Sequence, residues 1–245
     1  MSSNDTTSSD MDSLVEKVTT DLANDFDRFW DKHIEDPADL FWRRALVRAA
    51  FAYFEGLIST MKRKALLVHK LSQLKKFQEK PEPKGTGLGS IVHTIVNHYE
   101  KARQGANFSS SEILLMLDQS VSLDDNGEIK LRKAKLRLET NLQFAFRMYA
   151  KAFQVEYSLP KDAGWQAFKA ATRIRDRLTH PKIPVDIDVS DNDLSTVFNA
   201  VLWLKQSEYA LVKLAHEKAH LEDQTKGGEA ENLSLGNNLP VHRIT

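Results

Sequence analysis

The chain has no cysteine. Disulfides, thiolate metal sites and cysteine nucleophiles are therefore excluded, and the absence fits a reducing compartment. No apolar run approaches the roughly 20 residues that a membrane-spanning helix needs. The opening residues MSSNDTTSSD lack the basic start and apolar stretch of a signal peptide. The expectation is a cytoplasmic protein with no membrane partner. Net charge is also lacking, because 34 Lys and Arg balance 34 Asp and Glu. A neutral total argues against indiscriminate binding to nucleic acid. What is present is a 41% hydrophobic chain of 245 residues with 12 Phe and 4 Trp, enough to bury a real core.

The neutral total hides an asymmetry. Residues 1–40 carry 11 acids and 3 bases, whereas residues 41–80 carry 10 bases and 2 acids. Segments 127–151 and 161–182 are basic as well, at 7 to 2 and 6 to 2. A locally basic face can exist on a neutral protein. The plain alternative for each run is a solvated helix face.

Hydrophobic spacing gives mostly helices. Residues 1–10 are polar and are expected to be disordered. Leu14, Val15, Val18, Leu22, Phe26, Phe29 and Trp30 recur in steps of three and four. Pro37 suits the first turn of a second, long helix, with Asp36 as its cap. That helix carries Phe41, Leu46, Phe54, Leu57, Ile58 and Met61, and stops before the loop at 81–90. A helix over 91–103 and a short one capped by Ser109, Ser110 or Ser111 follow. Val121 and Leu123, then Ile129 and Leu131, flank Asp125-Asn126-Gly127, which predicts a β-hairpin at about 119–133. Further helices are expected over 133–157, from about Asp162 to Pro181, and from Asp191 or Asn192 onward. From Glu222 the composition predicts a flexible tail, given as 223–245. The fold class is therefore all-α, a helical bundle with one small β-hairpin insertion, as a single domain over 11–222.

Three places could carry chemistry. Gly85-Thr86-Gly87-Leu88-Gly89-Ser90 precedes a helix, but no strand leads into it and no Lys-Ser/Thr pair follows. Both a P-loop and a dinucleotide fingerprint therefore fail on context, leaving a connector. His216-Glu217-Lys218-Ala219-His220 matches HExxH, in which two histidines one turn apart hold zinc and the glutamate deprotonates its water. It sits in charged surroundings near the chain end, and exposed histidines on a helix end are the plain reading. The third is Arg173–Pro184, RIRDRLTHPKIP. Arg175 offers a permanently charged fork suited to phosphate, and His180 is the side chain suited to moving protons near neutral pH. Pro181 drives the chain off the helix just after His180. A basic helix end of this kind is also simply favourable with the helix dipole.

Arg175-Asp176-Arg177-Leu178-Thr179-His180 resembles the Arg-x4-6-His signature of HEPN domains, with Asp176 at the position where that signature has a polar residue. The long early helix FWRRALVRAAFAYFEGLISTMKRKAL resembles the opening core helix of the superfamily, and the resemblance covers roughly residues 37–220. Lys182 stands where a subset of toxins has tyrosine, a departure that bears on subfamily. The resemblance implies a HEPN-like helical bundle and a metal-independent endoribonuclease without cofactor. It also implies a toxin or abortive-infection (phage defence) effector acting as a homodimer on RNA, with an antitoxin or regulatory protein as a partner. In that reading His180 moves protons, Arg175 stabilises the phosphorane and Asp176 orients either one. Only one histidine lies in the motif, so a second proton-transfer group of this kind would come from a second copy.

Glu55 is a lone acid among Phe51, Tyr53, Phe54 and Leu57. It either faces Arg175 and fixes its orientation, or meets solvent or a basic neighbour. Arg177 and Lys182, with the hairpin cations Lys130 and Arg132, are candidate RNA contacts or plain surface charges. Two other readings stay open: a non-catalytic HEPN-like module that binds RNA, nucleotide or protein, and a zinc hydrolase using His216, Glu217 and His220.

Overall fold

The computed structural model describes residues 8–78, 107–123, 126 and 128–235, with side chains over 17–72, 107–123, 126 and 128–219. The expected glycine loop at 85–90 and helix at 91–103 lie outside these residues, as does most of the hairpin turn. The chain folds as helices α1 (Ser8–Glu35), α2 (Leu40–Gln78) and α3 (Ser110–Met116), strands β1 (Gln119–Leu123) and β2 (Ile129–Lys133), then α4 (Leu138–Ala152), α5 (Ala163–Thr179) and α6 (Asp191–Leu235). A 3-10 turn, Pro184–Ile187, links the last two helices. This is an all-α fold with a small antiparallel β-hairpin, and no described helix is long and apolar enough to cross a membrane.

Helix α2 is the centre. Its Tyr53, Phe54, Leu57 and Met61 are buried with Leu142 and Phe146 of α4, Phe168 of α5 and Leu204 of α6. Helix α1 lies along α2, and α5 packs on α6. Two glycines mark close approaches. A Cβ on Gly56 would meet Leu22 of α1 at 2.5 Å, and one on Gly164 would meet Trp203 of α6 at 2.1 Å. The Leu22 methyl can turn aside, but Cβ, Cγ and Cδ1 of Trp203 all crowd Gly164 within 2.5 Å, so α5 and α6 would have to separate to accept a side chain there. A smaller apolar cluster, with Ala65 and Val68 of α2, Phe108, Met116 and Met148, fills the far end of α2 under α3.

Several boundaries differ from expectation, each for a local reason. Asp39, not Asp36, starts α2. Its Oδ1 accepts the Phe41 amide at 2.7 Å, while the Asp36 carbonyl closes a turn with the Asp39 amide. Ser190, not Asp191 or Asn192, caps α6 through a reciprocal pair with Asp193. Helix α4 starts late because β2 continues to Lys133 opposite Gln119, and the Ala134 amide still donates to the Asp118 carbonyl. It ends at Ala152, before Gln154 takes φ 54°. Helix α1 begins at Ser8, inside the stretch expected to be disordered. Helix α6 runs to Leu235, well past the expected tail boundary. Ser109 does cap α3, as a full capping box with Glu112.

The hairpin pairs Val121 with Leu131 and Leu123 with Ile129. All four apolar side chains are exposed. Its root is fixed to α2 by Lys62, whose buried ammonium lies 2.5 Å from Oδ1 of Asp118.

Candidate active site

Helix α5 begins at Asp162, whose carboxylate accepts the amides of Gly164 and Trp165. Trp165, Phe168, Ala171, Ile174 and Leu178 bury one stripe of it. Arg175 lies at the edge of that stripe, with 37% of its side chain exposed. Its guanidinium is held on three sides. Nη2 donates to Oε1 of Glu55 at 2.9 Å, Nη1 donates to Oδ1 of Asp176 at 3.3 Å, and the carbon of the fork sits 5.8 Å from the Phe51 ring centroid. Glu55 and Phe51 are one turn apart on α2, so a single helix face supplies both the anion and the ring. The two carboxylates leave the remaining N–H donors of the fork for another anion.

His180 is the residue at which α5 ends. Its amide still donates to the Asp176 carbonyl, but its own backbone (φ −128°, ψ 59°) has left the helix, and its side chain is exposed. Pro181 follows, as the sequence requires. Beyond it the carboxylate of Asp186 accepts the amides of Lys182 and Ile183 at 2.8 and 3.1 Å. These amide hydrogen bonds hold the Asp186 carboxyl below the ordinary carboxylate range.

Arg177, considered above as an RNA contact, is engaged elsewhere. It donates to the Asp188 carbonyl at 2.8 Å and to Asp193 at 2.9 Å, so it anchors the loop after His180 to the start of α6. Lys182 is exposed. Lys130 and Arg132 lie on β2 opposite Ser122 and Ser120. They stand apart from Arg175, because the hairpin root meets α2 at Lys62, seven residues beyond Glu55 and about 10 Å further along the helix.

Two contributions escape the motif. Arg43 donates to the Pro37 and Val189 carbonyls and pairs with Asp191 at 2.6 Å, joining the start of α2 to the loop that follows His180. Arg44 and Arg48 fall at helical spacing on the same α2 face as Phe51 and Glu55. That spacing is visible in the sequence once Glu55 is taken as the reference. The partners of Arg43 are backbone groups, which no residue pattern announces.

Glu217 of the HExxH sequence is exposed and lies 3.8 Å from Lys213. The His220 side chain lies outside the described residues. Among the described residues no three His, Cys, Asp or Glu side chains gather as metal ligands.

No protein-family model, curated protein or solved structure matches the chain.

Proposed function

We propose that the protein is a metal-independent endoribonuclease of HEPN type, acting as a homodimer and belonging to the toxin or antiphage class. The observation that carries this reading is the Arg175 fork, oriented by Glu55, Asp176 and Phe51 on the helix that ends at an exposed His180. RNA cleavage of this kind needs a base for the 2′-hydroxyl, an acid for the leaving 5′-oxygen and a cation for charge building on phosphorus. The 2′-oxygen bonds to phosphorus, the P–O5′ bond breaks, and a 2′,3′-cyclic phosphate and a 5′-hydroxyl result. His180 takes the 2′ proton, its counterpart from a second copy gives a proton to O5′, and the spare donors of Arg175 receive the phosphorane oxygens. Asp176 and Glu55 act on Arg175 and hold its fork. Arg48, exposed on the same α2 face, extends positive charge along the approach to the site.

Exposed apolar side chains support a second copy. Leu40 and Phe41 at the start of α2, and Ile183, Val185 and Ile187 after His180, all face solvent. Arg43 binds the two segments together. An apolar rim beside a polar site fits a surface covered on dimerisation.

The test is expression of the wild type against His180→Ala, scored by cell growth and RNA integrity, with purified protein assayed in chelator. Loss of cleavage with retained fold and dimer is expected for His180→Ala and Arg175→Ala. If wild type cleaves no RNA yet retains it, the alternative of a non-catalytic binding module replaces this reading. In that case the ion pairs around Arg175 are structural.

A further inference from the structure

The far end of α5 carries a second, unrelated feature. Where α4 faces the segment 155–161, the surface opens into a cleft of about 440 Å3. Its floor is apolar, built by Leu115, Leu136, Phe146 and Leu159. Its walls are fixed: Tyr157 lies against Phe146 with ring centroids 6.0 Å apart, and its hydroxyl donates to the Ser207 carbonyl at 3.0 Å. Arg147 and Lys161 stand on the rim, and among the described residues no carboxylate lines the cleft. The Arg147 guanidinium is steered by the Phe144 ring, 5.8 Å from its centroid, and among the described residues it makes no ion pair. Arg147 also borders the adjoining hollow, where Lys151 is paired with Glu112 at 2.8 Å and Glu156 adds negative charge on that side. On the cleft side Arg147 and Lys161, which make no ion pair among the described residues, are placed to meet an anion from outside.

The remaining lining is polar in a particular way. Thr140, Gln143 and Ser158 offer hydroxyls and an amide, which both donate and accept hydrogen bonds. An apolar floor, a few convergent polar groups and a volume within the usual range for small ligands describe a binding cleft. The two rim cations select phosphate, and the fork of Arg147 can hold two of its oxygens. The floor suits an apolar body such as a base, and Gln143 can hydrogen-bond to the polar edge of such a body.

We propose that this cleft binds a nucleotide unit, with its phosphate on Arg147 and Lys161 and its base on the apolar floor. The cleft lies about 20 Å along α5 from Arg175, so it is separate from the Arg175/His180 site. The same chemistry is presented by a free nucleoside monophosphate and by a single-stranded RNA, and the proposal does not depend on ribonuclease activity.

The test is calorimetric titration of the full chain with AMP, UMP and a non-cleavable 2′-O-methyl oligouridine octamer. Inorganic phosphate and benzoate serve as controls. Binding of one nucleotide unit per chain is expected, tighter than either control. Arg147→Gln and Lys161→Gln should each weaken it by on the order of tenfold or more, the loss of one charge-assisted contact. Both side chains are exposed, so thermal melts of these variants should match the wild type. Saturation by mononucleotide identifies a free ligand as the source. Saturation by the octamer alone identifies an RNA strand. Absence of binding by all three, equal binding of phosphate or benzoate, or binding unchanged in the double variant overturns the proposal. His180→Ala, silent in cleavage, should bind as the wild type does, which separates this outcome from that of the ribonuclease reading.

Discussion

Glu55 of α2 and Arg175 of α5, 120 residues apart in sequence, meet at 2.9 Å. The pair is partly exposed, with 54% and 37% of the two side chains in solvent. Such pairs contribute only about 0–1 kcal/mol to stability, so holding the fold together is not their main consequence. Orientation of the fork is. On the proposed ribonuclease reading, Glu55→Gln should leave the melting temperature nearly unchanged while lowering RNA cleavage by roughly tenfold, because a neutral amide holds the guanidinium less firmly. Arg175→Lys should fail by about 10²-fold or more, since a point charge replaces a fork. Parallel melting curves and single-turnover cleavage check both.

If His180 is the proton-transfer group proposed above, His180→Ala should reduce RNA cleavage by roughly 10²–10⁴-fold, the usual contribution of general acid–base catalysis. The side chain is exposed at the end of α5, so its removal should leave stability unchanged. Mixing His180→Ala and Arg175→Ala chains gives a sharper measurement. If the site is shared by two copies, a mixed dimer has a different activity from either parent. Cleavage by the mixture, compared with each variant alone, provides the readout.

The loop after His180 depends on Arg177. Its contacts with Asp193 and the Asp188 carbonyl bind the loop to α6, and Asp193 also caps that helix through Ser190. Arg177→Ala should cost about 1–3 kcal/mol, the range for hydrogen bonds to charged groups. In a chain of this size each kcal/mol lowers the melting temperature by roughly 2–4 °C. Amide exchange over residues 182–190 should quicken while that of α4 stays unchanged. Uniform acceleration across the chain would count against a local anchor.

Lys62 and Asp118 offer an internal control on charge burial. The lysine side chain is 2% exposed and its partner 52%. Asp118→Ala leaves that ammonium without its carboxylate and puts alanine at a residue with φ 55°, so both electrostatics and backbone oppose it. Asp118→Asn tolerates the same backbone and keeps an acceptor, so it should be the milder change. Lys62→Met removes the charge altogether and should lose less stability than Asp118→Ala. Chemical denaturation of the three variants orders them.

Periodicity made the helices legible. Phe54, Leu57, Ile58 and Met61 recur at helical spacing and all are buried. Glu55 was only partly legible: an acid beside aromatics on a helix face could meet either solvent or a cation, and the structure brings Arg175 to it at 2.9 Å. The caps were less so, because Asp36 and Asp39 are equivalent candidates until the turn at Pro37 is seen to place Asp39 at the helix start. The task of Arg177 was not readable at all. Its partners include a backbone carbonyl across a turn, and side-chain spacing carries no record of the turn's path. The cleft at Arg147 was missed for a similar reason. It joins α4 to the irregular segment 155–161, whose first residues, up to Tyr157, spacing had assigned to the helix.

Glu208 of α6 supplies a pH signature. It is half-buried and accepts the Tyr53 hydroxyl at 2.9 Å. Burial raises its pKa above the ordinary glutamate value, outweighing the lowering effects of Tyr53, Lys64 and Lys205. The folded protein therefore binds this proton more tightly than the unfolded chain does. The associated stability is fully present below the ordinary glutamate pKa of about 4.3 and is lost as pH rises through the raised value. Glu208→Gln keeps an acceptor for Tyr53 and removes the ionisation. The variant should melt at the same temperature as wild type near pH 4 and at a higher temperature above pH 7. A melting temperature lowered above pH 7 but not near pH 4 would instead mean that the charged carboxylate is the better partner for Tyr53 and Lys205.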